Sequence, residues 1–305
     1  MWLILGFVSA ALLGLYDVSK KQSLRQNAVI PVLFLNTLFC SMIFLPLVIA
    51  SAFGWIGEGQ TFFVPTQGWE VQRYIVLKSC IVLSSWLCAY FGMKHLPLTL
   101  VGPINATRPV MVLVGAILVF GEQLNLLQWV GVALAVLSFF MLSRSGKKEG
   151  IDFRHNRWVL CVVLGAVLGA VSGLFDKYLM APASNGGVGL DRMVVQSYYN
   201  FYQCLMMLAM LLIIWWPRRD KGEPFRWKWS ILLISIFLSV ADFVYFYALS
   251  LDGAMVSVVS LARRSSVVVS FLVGAFLFRE KNLRSKALDL VLVLLGMLFL
   301  YLGTK

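Results

Sequence analysis

The sequence predicts an all-α polytopic membrane protein, ten transmembrane helices forming two inverted five-helix repeats, and three observations carry that prediction. Of 305 residues, 60% are hydrophobic and only 13% charged, against about 45–50% and about 25% in soluble domains. The apolar residues fall in ten runs of helical length without strict alternation; with no water in lipid to satisfy backbone groups, such runs form helices and not a closed barrel. Short patterns from the first half also recur, in order, in the second, the mark of an internal repeat. The 26 Lys and Arg outnumber the 14 Asp and Glu, for a formal charge of +12. In a soluble chain that excess would suggest nucleic acid, but here it crowds between apolar runs, so lipid and not nucleic acid is the expected partner.

The runs of the first half are 2–18, 28–51, 73–93, 98–120 and 126–143, each close to the roughly 20 residues that cross hydrocarbon. The first lacks a basic n-region and is followed, not preceded, by Lys20-Lys21, which reads as a retained helix instead of a cleaved signal peptide. Its Gly6, Ala10 and Gly14 form a row of small residues that lets helix backbones approach closely. The second run carries Asn36 and Cys40, the third Lys78 and Tyr90, the fourth Asn105 and Arg108. The connection between 93 and 98 is so short that the third and fourth helices form an antiparallel hairpin.

The second half holds 158–179, 192–216, 229–250, 254–278 and 285–303. The charged insert before it reads as a linker, dividing the chain into 1–143, 144–157 and 158–305. Gly14-Leu15-Tyr16-Asp17 recurs as Gly173-Leu174-Phe175-Asp176 at a separation of 159, which also pairs Gly6, Ala10 and Gly14 with Gly165, Gly169 and Gly173. Asn36 and Cys40 answer Asn200 and Cys204. Tyr90-Phe91 matches Tyr245-Phe246 at an offset of 155, and the same offset sets Arg108 on Arg263. Further on, Val114-Gly115-Ala116 matches Val273-Gly274-Ala275.

One set of alternating loops holds 18 of the 26 basic residues and the other holds 4. By the positive-inside rule the rich set is cytoplasmic and both termini lie on the other side, in a bacterial inner (plasma) membrane. An odd number of helices per half gives the halves opposite orientations, an arrangement typical of transporters whose substrate lies near the midplane between them.

Four cations remain inside the runs: Lys78, Arg108, Arg263 and Arg264. A charge at the centre of a membrane helix costs about 2.5–3.5 kcal/mol on insertion scales, so each has a reason to be there. Either they hold an anionic substrate, which suits the fixed donors of Arg, or they pair with Asp17, Asp176 or Asp242, or they snorkel toward the interface. Ser260 and Ser257 lie one and two turns before Arg264, either adding hydroxyl contacts or back-bonding to their own helix. Asp242, Asp17 and Asp176 are candidate carriers of a coupling proton; Asp17 and Asp176 sit beside Lys20 and Lys177, where ion pairs or capping also explain them, and Asp242, deeper in its run, is the better candidate. Tyr90, Tyr245, Tyr199, Asn36, Asn200 and Gln196 either line a polar path or bond between helices. The five cysteines lie inside apolar runs without Cys-x-x-Cys spacing, and the two histidines, His95 and His155, are near loops. No metal or other cofactor site and no enzyme constellation is expected from them.

The stretches Pro103-Ile104-Asn105-Ala106-Thr107-Arg108-Pro109 to Val119-Phe120-Gly121-Glu122-Gln123-Leu124, and Phe276-Leu277-Phe278-Arg279-Glu280-Lys281, carry a resemblance to the EamA-like branch of the drug/metabolite transporter superfamily. Its repeats are five helices with a small-residue helix, a loop Glu and a closing helix, and the resemblance spans the whole chain. Two positions depart from it: Leu13-Gly14 stands where many members have Trp-Gly, and Arg264 stands where Pro109 would have its partner. The Arg263-Arg264 pair is also similar to the basic pair in the ninth helix of sugar-phosphate and nucleotide-sugar translocators.

The expectation is therefore a secondary active transporter, monomeric or homodimeric, for a small organic anion, phosphorylated or carboxylated. It would work by alternating access at a site built from helices three, four, eight and nine: Arg263, Arg264, Arg108, Lys78, Asn105, Ser260, Tyr90 and Tyr245. The alternative is an exporter of amino acids or amphipathic cations centred on Asp242 and aromatic residues. A lipid-flipping or scaffolding membrane protein is a third reading.

Overall fold

The computed structural model describes residues 2–108, 110–111, 125–147, 151, 153, 155–180, 186–220, 223–250, 262–263, 265–278 and 283–303. Among them are ten α-helices and no strand. In the first half these are α1 (Trp2–Leu24), α2 (Val29–Ala52), α3 (Trp69–His95), α4 (Leu98–Ala106) and α5 (Leu126–Lys147). In the second they are α6 (Arg157–Met180), α7 (Arg192–Met210), α8 (Trp229–Ser250), α9 (Ser266–Phe278) and α10 (Leu283–Leu302). A π turn, Leu211–Trp215, and a 3-10 turn, Trp216–Arg218, extend α7. Among the described residues, six helical stretches are long and apolar enough to cross a membrane: Val29–Ala52, Trp69–His95, Leu126–Arg144, Arg157–Asp176, Arg192–Arg218 and Leu283–Leu302. Trp229–Tyr245 and Ser266–Phe278 are shorter apolar helices.

The sequence places the end of the first helix at residue 18, whereas α1 continues to Leu24. The extra turns carry Lys20 and Lys21, and both lysines have partners inside the protein. Lys21 Nζ donates to the carbonyls of Met93 and Leu96, each at 2.6 Å, the end of α3 where backbone acceptors have no intrahelical donor. Residues 109, 112–120 and 254–261 of the expected fourth and ninth runs lie outside the described residues, as does 264.

The helices pair across the halves: α1 packs on α8, α3 on α6, α2 on α7, α4 on α9 and α5 on α10. Exchanging the halves leaves this scheme unchanged, as a two-fold relation between them requires. Because lipid is as apolar as leucine, close backbone approach and interhelical hydrogen bonds hold such pairs. Ser9 donates to the Ala241 carbonyl at 2.7 Å, joining α1 to α8, and Ser85 to that of Gly165 at 2.7 Å, joining α3 to α6. Ser41 bonds the Asn200 carbonyl at 2.9 Å and Ser138 that of Asp289 at 2.7 Å. At the α5–α10 crossing a Cβ added to Gly131 would lie 2.7 Å from the Gly296 carbonyl oxygen. Only glycine permits that approach.

The basic loops meet at one end of the bundle. Lys94 pairs with Glu223 and donates to the Asn27 carbonyl at 3.0 Å, while Asn27 Oδ1 accepts from the Arg226 amide at 2.9 Å. Lys228 donates to the carbonyls of Gln22 and Arg25. Charges that the sequence assigns to orientation thus also tie the loop after α1 to the segment before α8.

Candidate functional site

Five helices enclose a cavity of about 320 Å³. Along α1, Tyr16, Asp17 and Lys20 reach it, Tyr16 and Lys20 being one turn apart on the same face. From α3 come Trp86, Ala89 and Tyr90, from α8 Leu238 and Tyr245. α4 and the residues just past it contribute Gly102, Asn105, Ala106 and Arg108, the first turn of α9 contributes Ser266 and Val267, and Arg263 comes from just before it.

The charges in this cavity have unequal company. Lys20, only 5% exposed, pairs with Asp17 at 2.8 Å, and its Nζ lies 4.2 Å from the Tyr16 ring centre and 5.4 Å from that of Tyr90. Arg263 pairs with Asp242 and sits 4.3 Å above the Tyr245 ring. Arg108 makes one side-chain hydrogen bond, 3.3 Å to Asn105 Oδ1, and among the described residues no carboxylate stands within ion-pair distance of it. The repeat explains the difference. At the offset of 155, Arg263 corresponds to Arg108 and Tyr245 to Tyr90, but Asp242 corresponds to Leu87. The first half has a leucine where the second has a counter-ion.

Arg108 lies against Gly169 of α6, where an added Cβ would come within 2.8 Å of the guanidinium carbon. The glycine leaves room for that cation beside the cavity.

Of the residues expected from sequence, the cavity brings together Arg108, Asn105, Tyr90, Tyr245, Arg263 and Asp17. Asp242 stands behind Arg263. Lys78 does not line the cavity; it pairs with Asp176 across the halves, 5.1 Å over the Tyr199 ring. Arg264 and Ser260 lie outside the described residues. The sequence reading misses α1 as a wall, and with it Tyr16 and Lys20, as well as Trp86 from α3. The signal for the first two is the helical spacing of Tyr16, Asp17 and Lys20, hidden by ending the helix too early. Among the described residues no three His, Cys, Asp or Glu side chains are grouped to hold a metal ion.

A profile of the EamA-like transporter family matches residues 1–144 and 156–302. The chain belongs to the EamA-like transporter family. The two EamA matches flank the charged insert, the first containing α1 to α4 and most of α5, the second α6 to α10. EamA-like proteins are transporters, not enzymes, and this chain is accordingly a transmembrane transporter of the drug/metabolite transporter superfamily. No curated protein matches the chain. Among solved structures 25 chains match; one, titled only "Crystal structure of protein", is 16% identical over 98% of this chain and 95% of its own, with a TM-score of 0.60. At that identity the likeness extends to the fold alone.

Proposed function

We propose that this EamA-like protein is a secondary active transporter of a small organic anion, carboxylated or phosphorylated, which it binds in the cavity between two inverted halves and exposes to each side of the membrane in turn. One observation carries the reading: Arg108 lines the cavity with no carboxylate among the described residues within ion-pair distance of it. An unpaired charge at membrane depth is costly, and a guanidinium keeps its planar donor fork ready for carboxylate or phosphate oxygens. A bound anion supplies the missing counter-charge. The half-exchange symmetry of the helix pairing supports the alternating-access part. Proton coupling is assigned to Asp17, the one carboxylate among the described residues that lines the cavity itself; Asp242 stands behind the lining Arg263, and Asp176 pairs with Lys78 away from it.

The test is thermal stabilisation of the detergent-purified protein against anionic, zwitterionic and cationic metabolites, since a ligand of the folded state raises its apparent stability. Stabilisation by anions that disappears in Arg108→Gln is expected. The aromatic walls, Tyr16, Trp86, Tyr90 and Tyr245, favour the second reading, an exporter of amino acids or amphipathic cations. Stabilisation by cations alone would establish it instead.

A further inference from the structure

Neutralising the cavity takes a definite amount of charge. Among the described residues, three cations belong to it, Lys20, Arg108 and Arg263, against two carboxylates, Asp17 and Asp242. The described residues therefore give the site one net positive charge, and it resides on Arg108. Burying an excess charge of either sign in a low-dielectric interior is unfavourable. A ligand with a single negative charge leaves the occupied cavity neutral. A phosphate monoester dianion leaves one negative charge in excess. A zwitterion leaves the positive charge uncompensated and adds an ammonium, for which neither carboxylate is available: Asp17 is held by Lys20 and Asp242 by Arg263.

The remaining walls describe the rest of the ligand. Leu13, Trp86, Leu238 and Val267 supply an apolar surface in the same cavity, and about 320 Å³ is at the small end of the roughly 300–1,000 Å³ typical of ligand sites. Resting on the anion reading above, we infer that the substrate class is a small amphipathic monocarboxylate, its carboxylate on the Arg108 fork and its apolar body against that surface.

Four probes that share one ring decide it: benzoate, phenyl phosphate, phenylalanine and benzylamine, each titrated at constant ionic strength while the thermal stability of the full detergent-purified chain is followed. Benzoate is expected to half-saturate at a concentration roughly tenfold lower than the others, about 1.4 kcal/mol of preference, and to lose its effect in Arg108→Gln. Asp242→Asn frees Arg263 and raises the site to two net positive charges, so the preference should move toward phenyl phosphate. The double variant Asp242→Asn with Arg263→Gln returns the charge to one and should restore benzoate. Phenyl phosphate preferred by the unmodified protein overturns the monocarboxylate inference while leaving the anion reading standing. Benzylamine or phenylalanine preferred, or a benzoate effect that survives Arg108→Gln, overturns both. No stabilisation by any of the four overturns the inference and leaves the anion reading to the wider metabolite panel.

Discussion

Gly169→Ala perturbs the site without replacing any residue that lines the cavity. An added Cβ would stand 2.8 Å from the Arg108 guanidinium carbon, 2.9 Å from Nη1 and 3.1 Å from Nε. Ordinary carbon contacts begin near 3.5 Å, so the head group must retreat by about 0.7 Å. It is the end of a flexible side chain, and the helices need not move. A shift of that size takes a two-pronged grip on a carboxylate down to one prong. A hydrogen bond involving a charged group contributes about 1.5–3 kcal/mol, and taking the lower figure predicts roughly tenfold weaker anion binding with little change in the stability of the empty protein. The assay is the anion concentration that half-saturates thermal stabilisation. Gly165→Ala, one turn earlier on α6, is the control. Its Cβ would meet backbone, the Ser85 oxygen at 3.1 Å and the Ala89 nitrogen at 3.2 Å, so it should lower the melting temperature and leave affinity nearly unchanged. Unaltered affinity in Gly169→Ala, or a stability loss equal to that of Gly165→Ala, would refute the assignment of Gly169 to Arg108.

Three further outcomes are expected. Lys78→Met or Asp176→Asn alone strands a partly buried charge and should cost about 3 kcal/mol, somewhat less where solvent reaches Asp176; the double variant should recover part of that loss, and simple additivity of the two melting shifts would show that the pair is not coupled. Gly296→Ala sets a Cβ 2.9 Å from the Gly131 carbonyl oxygen, overpacking the α5–α10 crossing by about 1–3 kcal/mol. Its melting temperature should fall while its preference among anions stays the same. With the five free cysteines replaced, Gln67→Cys should react with a membrane-impermeant maleimide on intact cells and Asp220→Cys only after permeabilisation; the opposite pattern would reverse the membrane orientation.

The readability of this protein varies residue by residue. Helix existence is written in the hydropathy of the runs, and Gly165 and Gly169 announce close approach, but not to what. Gly165 meets backbone and Gly169 meets a guanidinium, a distinction that no row of small residues contains. Arg108 and Arg263 look equivalent along the chain, being repeat counterparts. Their difference depends on Asp242 facing one and Leu87 occupying the matching position of the other half. Lys78, Asp17 and Asp176 were legible as charges needing partners, yet which cation meets which carboxylate was open. Lys20, a loop charge by sequence, lies in the cavity because the helix continues two turns farther than its apolar run.

By itself the sequence determined that the chain lives in a membrane, that it is helical and that it carries two related halves. Those properties follow from average polarity and from recurrence, which are sums over the chain and need no knowledge of contacts. Only the tertiary structure decided that five helices enclose one cavity, that Asp242 and Asp17 are held by Arg263 and Lys20, and that Arg108 is left with a charge to share. Electrostatic pairing is set by distances of a few ångströms between residues far apart in the chain, and those distances exist only once the two halves have packed together.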